Sequence, residues 1–187
     1  IAQQLYEGIT LGDEGSVGLI TYMRTDSTRL SQEALQDVRA YIGKTFEPRM
    51  LPESPNFYRS KKDAQDAHEA IRPTMSEHTP ESVKPYLTED QFKVYTLIWQ
   101  RFVACQMAPA VYDQTTVDIA VRECEFRATG SVQKFAGFTI LYQETQEDAP
   151  EQEDTHLLPV INQGEKVDLQ ALKPEQHFTK PPARYTE

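Results

Sequence analysis

The chain has 187 residues, with 19 Lys and Arg against 29 Asp and Glu for a net charge of −10, and 39% of its side chains are apolar. Eight Phe, nine Tyr and one Trp suffice for a packed core, which excludes general disorder. No apolar run reaches the roughly 18 residues of a membrane span, no leader pattern opens the chain, and the acidity excludes a nonspecific nucleic-acid adhesive, leaving room only for local contact with DNA.

The chain opens without Met, inside a segment that reads as a helix over residues 1–7, as an excised piece of a longer protein would. An apolar stretch, Gly18 to Ile20, reads as a buried strand leading to Tyr22. Leu35, Val38, Ile42 and Phe46 recur at spacings of three and four behind Ser31, a good N-cap, and predict an amphipathic helix of about four turns ending near Gly43. A proline-containing loop follows over residues 47–62. Residues 63–72 favour helix until Pro73 stops it. Thr79-Pro80 matches an N-cap with proline in the first turn. Thr88 with Gln91 forms a capping-box pattern before Phe92, Tyr95, Ile98, Trp99, Phe102 and Val103, predicting a helix over residues 89–107.

Near Pro109 the period changes from about 3.6 to 2. Residues 1–108 carry 12 basic and 15 acidic side chains, residues 109–187 carry 7 and 14, so a domain boundary is expected there. Residues 111–121 alternate as a half-buried strand would. Further strands are expected at 125–129, 138–143, 157–161 and 166–172, with turns at Gly130, Gly137 and Gly164. The six acids between Glu144 and Asp154 read as a solvated loop. Cys105 and Cys124, too few and too far apart for a zinc site or disulfide framework, read as small core residues in a reducing compartment.

Chemistry concentrates in Gly18-Leu19-Ile20-Thr21-Tyr22-Met23-Arg24-Thr25-Asp26-Ser27-Thr28-Arg29-Leu30-Ser31. A helix N-terminus beside hydroxyls and Arg24 suits a phosphate. A phenol is a weak nucleophile at its free pKa of about 10 and needs a nearby cation or base, and Arg24 offers a permanent charge with a bidentate fork. The same residues also read as a strand aromatic beside a surface ion-pair cluster. A second constellation, Asp66-Ala67-His68-Glu69-Ala70-Ile71-Arg72-Pro73-Thr74, would place His68 and Arg72 on one helix face, i to i+4. His78, His156 and His177 lack such company and read as structural.

Together the two motifs, with His68 following Tyr22 by 46 residues, resemble the type IA DNA topoisomerase family. Met23 after the tyrosine matches its bacterial topoisomerase I branch better than the topoisomerase III branch. Leu51-Pro52-Glu53-Ser54-Pro55-Asn56, the run Leu97 to Met107 and the run His177 to Tyr185 extend the resemblance over nearly the whole chain.

The resemblance implies an α+β multi-domain fragment: a mainly helical tyrosine domain over 1–108, winged-helix-like in the manner of the catabolite activator, followed by a β-rich arch domain over 109–187. It implies ATP-independent relaxation of negatively supercoiled DNA by cutting and resealing one strand through a 5′-phosphotyrosyl bond. Tyr22 would be the nucleophile, Arg24 and His68 would act at the phosphate, and Thr25, Asp26, Ser27 and Arg72 would position the strand. The partner would be single-stranded DNA, not a membrane, and the full-length enzyme a monomer in the bacterial cytoplasm at the nucleoid. Its Mg²⁺ would sit in an acidic domain that precedes this sequence, with no metal held by these residues, so the fragment alone should be inactive. Two other classes fit the motifs less well: a noncatalytic DNA-binding module, and a tyrosine recombinase, whose nucleophile comes last in the chain.

Overall fold

The structure, a computed structural model, describes residues 1–58, 68–142, 158–176 and 178–179. They fall into two compact units, Ile1–Leu157 and Leu158–Glu187. In the first, helix α1 (Ala2–Glu7) leads into the short strands β1 (Ile9–Thr10) and β2 (Ser16–Val17), which pair antiparallel across a Gly12–Glu14 turn. Helix α2 (Gln32–Thr45) starts where the sequence predicts, with the Ser31 hydroxyl accepting from the Ala34 amide, and α3 (Pro80–Val83) is capped by Thr79 in the same way. Helix α4 (Glu89–Cys105) opens with a complete capping box: the Thr88 hydroxyl accepts from the Gln91 amide and the Gln91 side chain accepts from the Thr88 amide.

The spacing of three and four turns one face of each long helix inward. Val38 and Ile42 from α2 join Tyr95, Trp99, Phe102 and Val103 from α4, Leu5 from α1, and Leu19 and Ile20 in a single apolar cluster. Tyr41 meets Trp99 edge to face at 5.5 Å, and the Trp99 indole donates to the Ser76 carbonyl. Among the described residues no helix is long and apolar enough to cross a membrane.

After α4 the chain turns to strand. β3 (Val111–Val121) and β4 (Cys124–Phe135) form one long antiparallel hairpin, closed by Arg122 and Glu123 with Arg122 at φ 54°. Several expectations fail here. Gly130 is not a turn but lies inside β4 opposite Thr115, because the long partner strand keeps pairing through it. β3 is not half-buried: its alternation finds no second layer among the described residues, and only Val117 and Ile119 are partly covered. Cys124 is exposed at the hairpin end rather than in a core. Residues 138–142 form no strand; a 3-10 turn covers Gly137–Ile140, started by Gly137 at φ 52°, where a Cβ would strike the Ala108 and Pro109 carbonyls.

The described parts of 157–161 and 166–172 also lack strand structure, since no described segment offers them a partner ladder. In that second unit Gly164 does turn the chain, and the Glu165 carboxylate accepts from the Asn162 amide. The expected helix over 63–72 is corrected as well. Residues 63–67 lie outside the described residues, and 68–72 form no helix, because their backbone groups pair with other segments. Residues 143–157 also lie outside, as do His156 and His177.

Tyr95 is fully buried and its hydroxyl donates to the His78 carbonyl at 2.6 Å, so burial pushes its phenol far above the usual value. Below about pH 10 the phenol is neutral whether the chain is folded or not; above it the unfolded chain ionises while the folded one cannot, and stability falls. Urea midpoints measured from pH 7 to 11 should therefore drop above about pH 10, less steeply in Tyr95→Phe. That variant should also lose about 1–3 kcal/mol at pH 7 by orphaning the carbonyl.

Candidate active site

The site is built on one pairing. The segment Leu19–Thr21 lies antiparallel to Arg72–Thr74: the Thr21 amide donates to the Arg72 carbonyl at 2.9 Å and the Thr74 amide to the Leu19 carbonyl at 3.0 Å. Between these bonds Ile20 faces Pro73 in a position that asks for no amide hydrogen, so the proline that stops a helix fits this ladder. The Thr21 hydroxyl locks the crossing, donating to the Ala70 carbonyl at 2.8 Å and accepting from the Arg72 amide at 3.0 Å. Next to it Arg72 forms an ion pair with Glu69 at 2.7 Å and donates to the Pro73 carbonyl, largely out of solvent.

This arrangement sets the His68 ring 6.0 Å from the Tyr22 ring, at an interplanar angle of 61°. On its other side Tyr22 meets the Tyr6 ring edge-on at 5.4 Å. The phenol stays open to solvent, with 41% of Tyr22 exposed. Tyr6, Tyr22, His68, Glu69 and Thr74 line one cleft of about 430 Å³. Gly18 makes the contact with α1 possible: a Cβ there would lie 2.7 Å from the Tyr6 carbonyl. The Leu19 amide then donates to the Leu5 carbonyl and fixes α1 against the tyrosine segment.

The other predicted residues fall differently. Arg24 and Asp26 are exposed and make no ion pair or hydrogen bond among the described residues. Thr25 and Ser27 staple their own loop: the Thr25 hydroxyl accepts from the Ser27 amide and the Ser27 hydroxyl from the Arg29 amide. Neither lines the cleft, and the Arg72 guanidinium is occupied by Glu69 and Pro73. The sequence reading missed Tyr6. It stands 16 residues before Tyr22 with no motif around it, and only the docking of α1 brings it to the site. Among the described residues no group of three or more His, Cys, Asp or Glu side chains converges as a metal ligand set.

An exposed phenol with an imidazole beside it and, two residues on, a guanidinium unpaired among the described residues can approach a phosphodiester and stabilise charge there. Among known proteins, a family model described as DNA topoisomerase matches residues 1–187, and the chain belongs to that family of isomerases. It is 50% identical over 191 residues to the DNA topoisomerase 1 of Xylella fastidiosa strain Temecula1, and equally to that of strain 9a5c, with 100% of this chain and 23% of each relative covered. The structure of full-length topoisomerase I from Thermotoga maritima in a monoclinic crystal form is similar at a TM-score of 0.64 and 36% identity, over 80% of this chain and 23% of that one. The chain thus spans 23% of the length of the relatives it matches.

Thr21→Val removes the hydroxyl lock while keeping the shape. It should cost about 1–3 kcal/mol in urea unfolding, since the Arg72 amide and Ala70 carbonyl lose their partner. It should also shift the His68 ring proton resonances as the Tyr22 ring moves. Thr21→Ser should keep both near the parent values.

Proposed function

We propose that this chain is the strand-cutting segment of a type IA DNA topoisomerase, with Tyr22 as the nucleophile. The observation that carries the reading is the solvent-open Tyr22 phenol with the His68 ring beside it in one cleft and the uncommitted Arg24 two residues away. The Tyr22 oxygen attacks the phosphorus of a single-stranded phosphodiester, the bond from phosphorus to the 3′ oxygen breaks, the phenolic proton leaves, and the 3′ oxygen takes up a proton. A 5′-phosphotyrosyl ester holds the bond energy, so attack by the same 3′ hydroxyl reseals the strand without ATP.

Arg24 stabilises charge on the phosphoryl oxygens and His68 hydrogen-bonds near the phosphate; the support of Asp26 by His68 that the resemblance implies has no counterpart among the described contacts. Thr25 and Ser27 hold the loop that carries Arg24 and Asp26, and Arg72 holds Glu69 and the ladder beside His68, so their part in strand positioning is to fix this frame. The Mg²⁺ of such enzymes would be held by side chains outside this chain, and the steps above run through protein groups alone. The change from helix to hairpin at Pro109 supports a boundary there. On this reading residues 1–108 form the tyrosine domain and 109–187 part of the arch, in a monomeric, cytoplasmic enzyme acting on the nucleoid.

In the intact enzyme Tyr22→Phe should abolish the covalent adduct and relaxation while leaving noncovalent DNA binding within about twofold. An adduct through the 3′ phosphate would instead indicate a recombinase, and no adduct in the parent protein a binding module. Arg24→Ala should slow cleavage by about tenfold to a hundredfold, the scale of a lost charge-assisted contact in the transition state. The 187-residue chain alone, mixed with labelled single-stranded DNA and Mg²⁺ and then denatured, should show no covalent band. Its binding should be weak, since a body of charge −10 repels the polyanion, and should weaken further with salt as cations compete for the phosphates that its few arginines contact.

A further inference from the structure

A second cleft, of about 290 Å³, lies on the far end of the tyrosine loop, lined by Arg29, Leu30, Leu35, Asn56, Phe57 and Tyr58. Its two aromatic side chains are unusually open, with Phe57 75% and Tyr58 52% exposed. The residues flanking Phe57 are nevertheless hydrogen-bonded to the segment that ends α4. The Asn56 amide donates to the Gln106 side-chain oxygen, its side chain donates to the Cys105 carbonyl, and the Gln106 amide group donates back to the Asn56 carbonyl. The Tyr58 hydroxyl donates to the Cys105 carbonyl at 2.8 Å. The residues on both sides of Phe57 are thus anchored, while its own ring stays in water.

Beside that ring stands Arg29, exposed, with its guanidinium free of ion pairs and hydrogen bonds among the described residues. A backbone hydrogen bond joins the lining of this cleft to the segment that lines the tyrosine site. The Arg29 carbonyl accepts from the Ala70 amide at 2.8 Å, and the neighbouring His68 and Glu69 line the cleft around Tyr22. A flat apolar face next to an unpaired cation, linked by a short hydrogen-bonded path to a phosphate-directed tyrosine, has the chemistry of a nucleotide subsite. Aromatic faces stack bases without regard to sequence, and a guanidinium neutralises a phosphate.

We infer that this second cleft holds a nucleotide of the same single strand whose phosphodiester meets Tyr22, with its base stacked on Phe57 and its phosphate against Arg29. The inference rests on the proposed cleavage function for its ligand, single-stranded DNA. Asp26 is the exposed acid of the loop between the two clefts. It would repel a phosphate, so the strand contacts the two ends of the loop rather than its middle. Phe57 sorts with the residues that touch substrate; Asn56 and Gln106 are positioning residues behind it.

The test uses the intact enzyme and a labelled mixed-sequence single-stranded oligonucleotide, with binding read by anisotropy over a range of salt. Phe57→Ala should weaken binding by roughly tenfold to a hundredfold, and Phe57→Trp should restore it, because stacking needs a ring and not that particular one. Arg29→Ala should lower the slope of log affinity against log salt by about 0.7, the loss of one phosphate contact. Unchanged thermal melting of the variants would show that the effect is local, as expected for a side chain already in water. Binding of Phe57→Ala within twofold of the parent, or an unaltered salt slope in Arg29→Ala, overturns the subsite. The covalent adduct is scored on the same samples. Normal adduct chemistry with unaltered binding by Phe57→Ala refutes the subsite alone, whereas an adduct surviving in Tyr22→Phe refutes the nucleophile and leaves the subsite standing.

Discussion

The pairing of Leu19–Thr21 with Arg72–Thr74 is the constraint on which the site depends. It joins segments about fifty residues apart, and it does so with backbone bonds at Thr21 and Thr74, on either side of a proline that needs none. The apolar side chains of the same stretch, Leu19 and Ile20, are fully buried in the cluster shared with α2 and α4, so the core holds the strand in register while the ladder holds its neighbour. A slip of one residue would turn Ile20 outward and Thr21 inward, breaking core and lock together. Tyr22 is the first residue beyond this anchored stretch. That position lets its backbone be fixed while its ring remains open.

The distribution of arginines separates scaffold from working surface. Arg39 reaches back to the Pro52 and Glu53 carbonyls, Arg72 is neutralised by Glu69, and Arg101 donates to the Tyr142 hydroxyl. These guanidinium groups hold loops. Arg24 and Arg29, at the two ends of one loop, have no such engagement among the described residues. On a chain with ten more acids than bases, two exposed cations in the same loop make a local site of positive charge. The hydroxyls of Thr25 and Ser27 belong with the scaffold, since each is turned onto a backbone amide of its own loop.

Local chemistry was legible where one segment contains both the signal and its answer. Ser31, Thr79 and the Thr88 and Gln91 pair start helices because each supplies the acceptor, or acceptor and donor, that the first turn lacks within three residues. The buried faces of α2 and α4 followed from spacing for the same reason. The tyrosine and histidine motifs were legible as chemistry, but the helix proposed under His68 was not there. Residues 68–72 have helix-favouring side chains, and their amides and carbonyls still went to Thr21 and Arg29, because pairing with a neighbouring segment satisfies them and Pro73 blocks helix continuation.

What the sequence determined by itself is therefore the set of helix starts, the apolar faces and the identity of the groups able to work on a phosphate, all of which are properties of neighbours along the chain. Which groups meet was decided by the tertiary structure. Tyr6 reaches Tyr22 only because Gly18 admits the α1 backbone, and His68 reaches it only through the ladder at Thr21. The hairpin makes the same point in reverse. Its alternation promised a buried face, but alternation fixes only which side chains share a side; burial requires a second layer, and no described residue of this chain supplies one for β3 and β4.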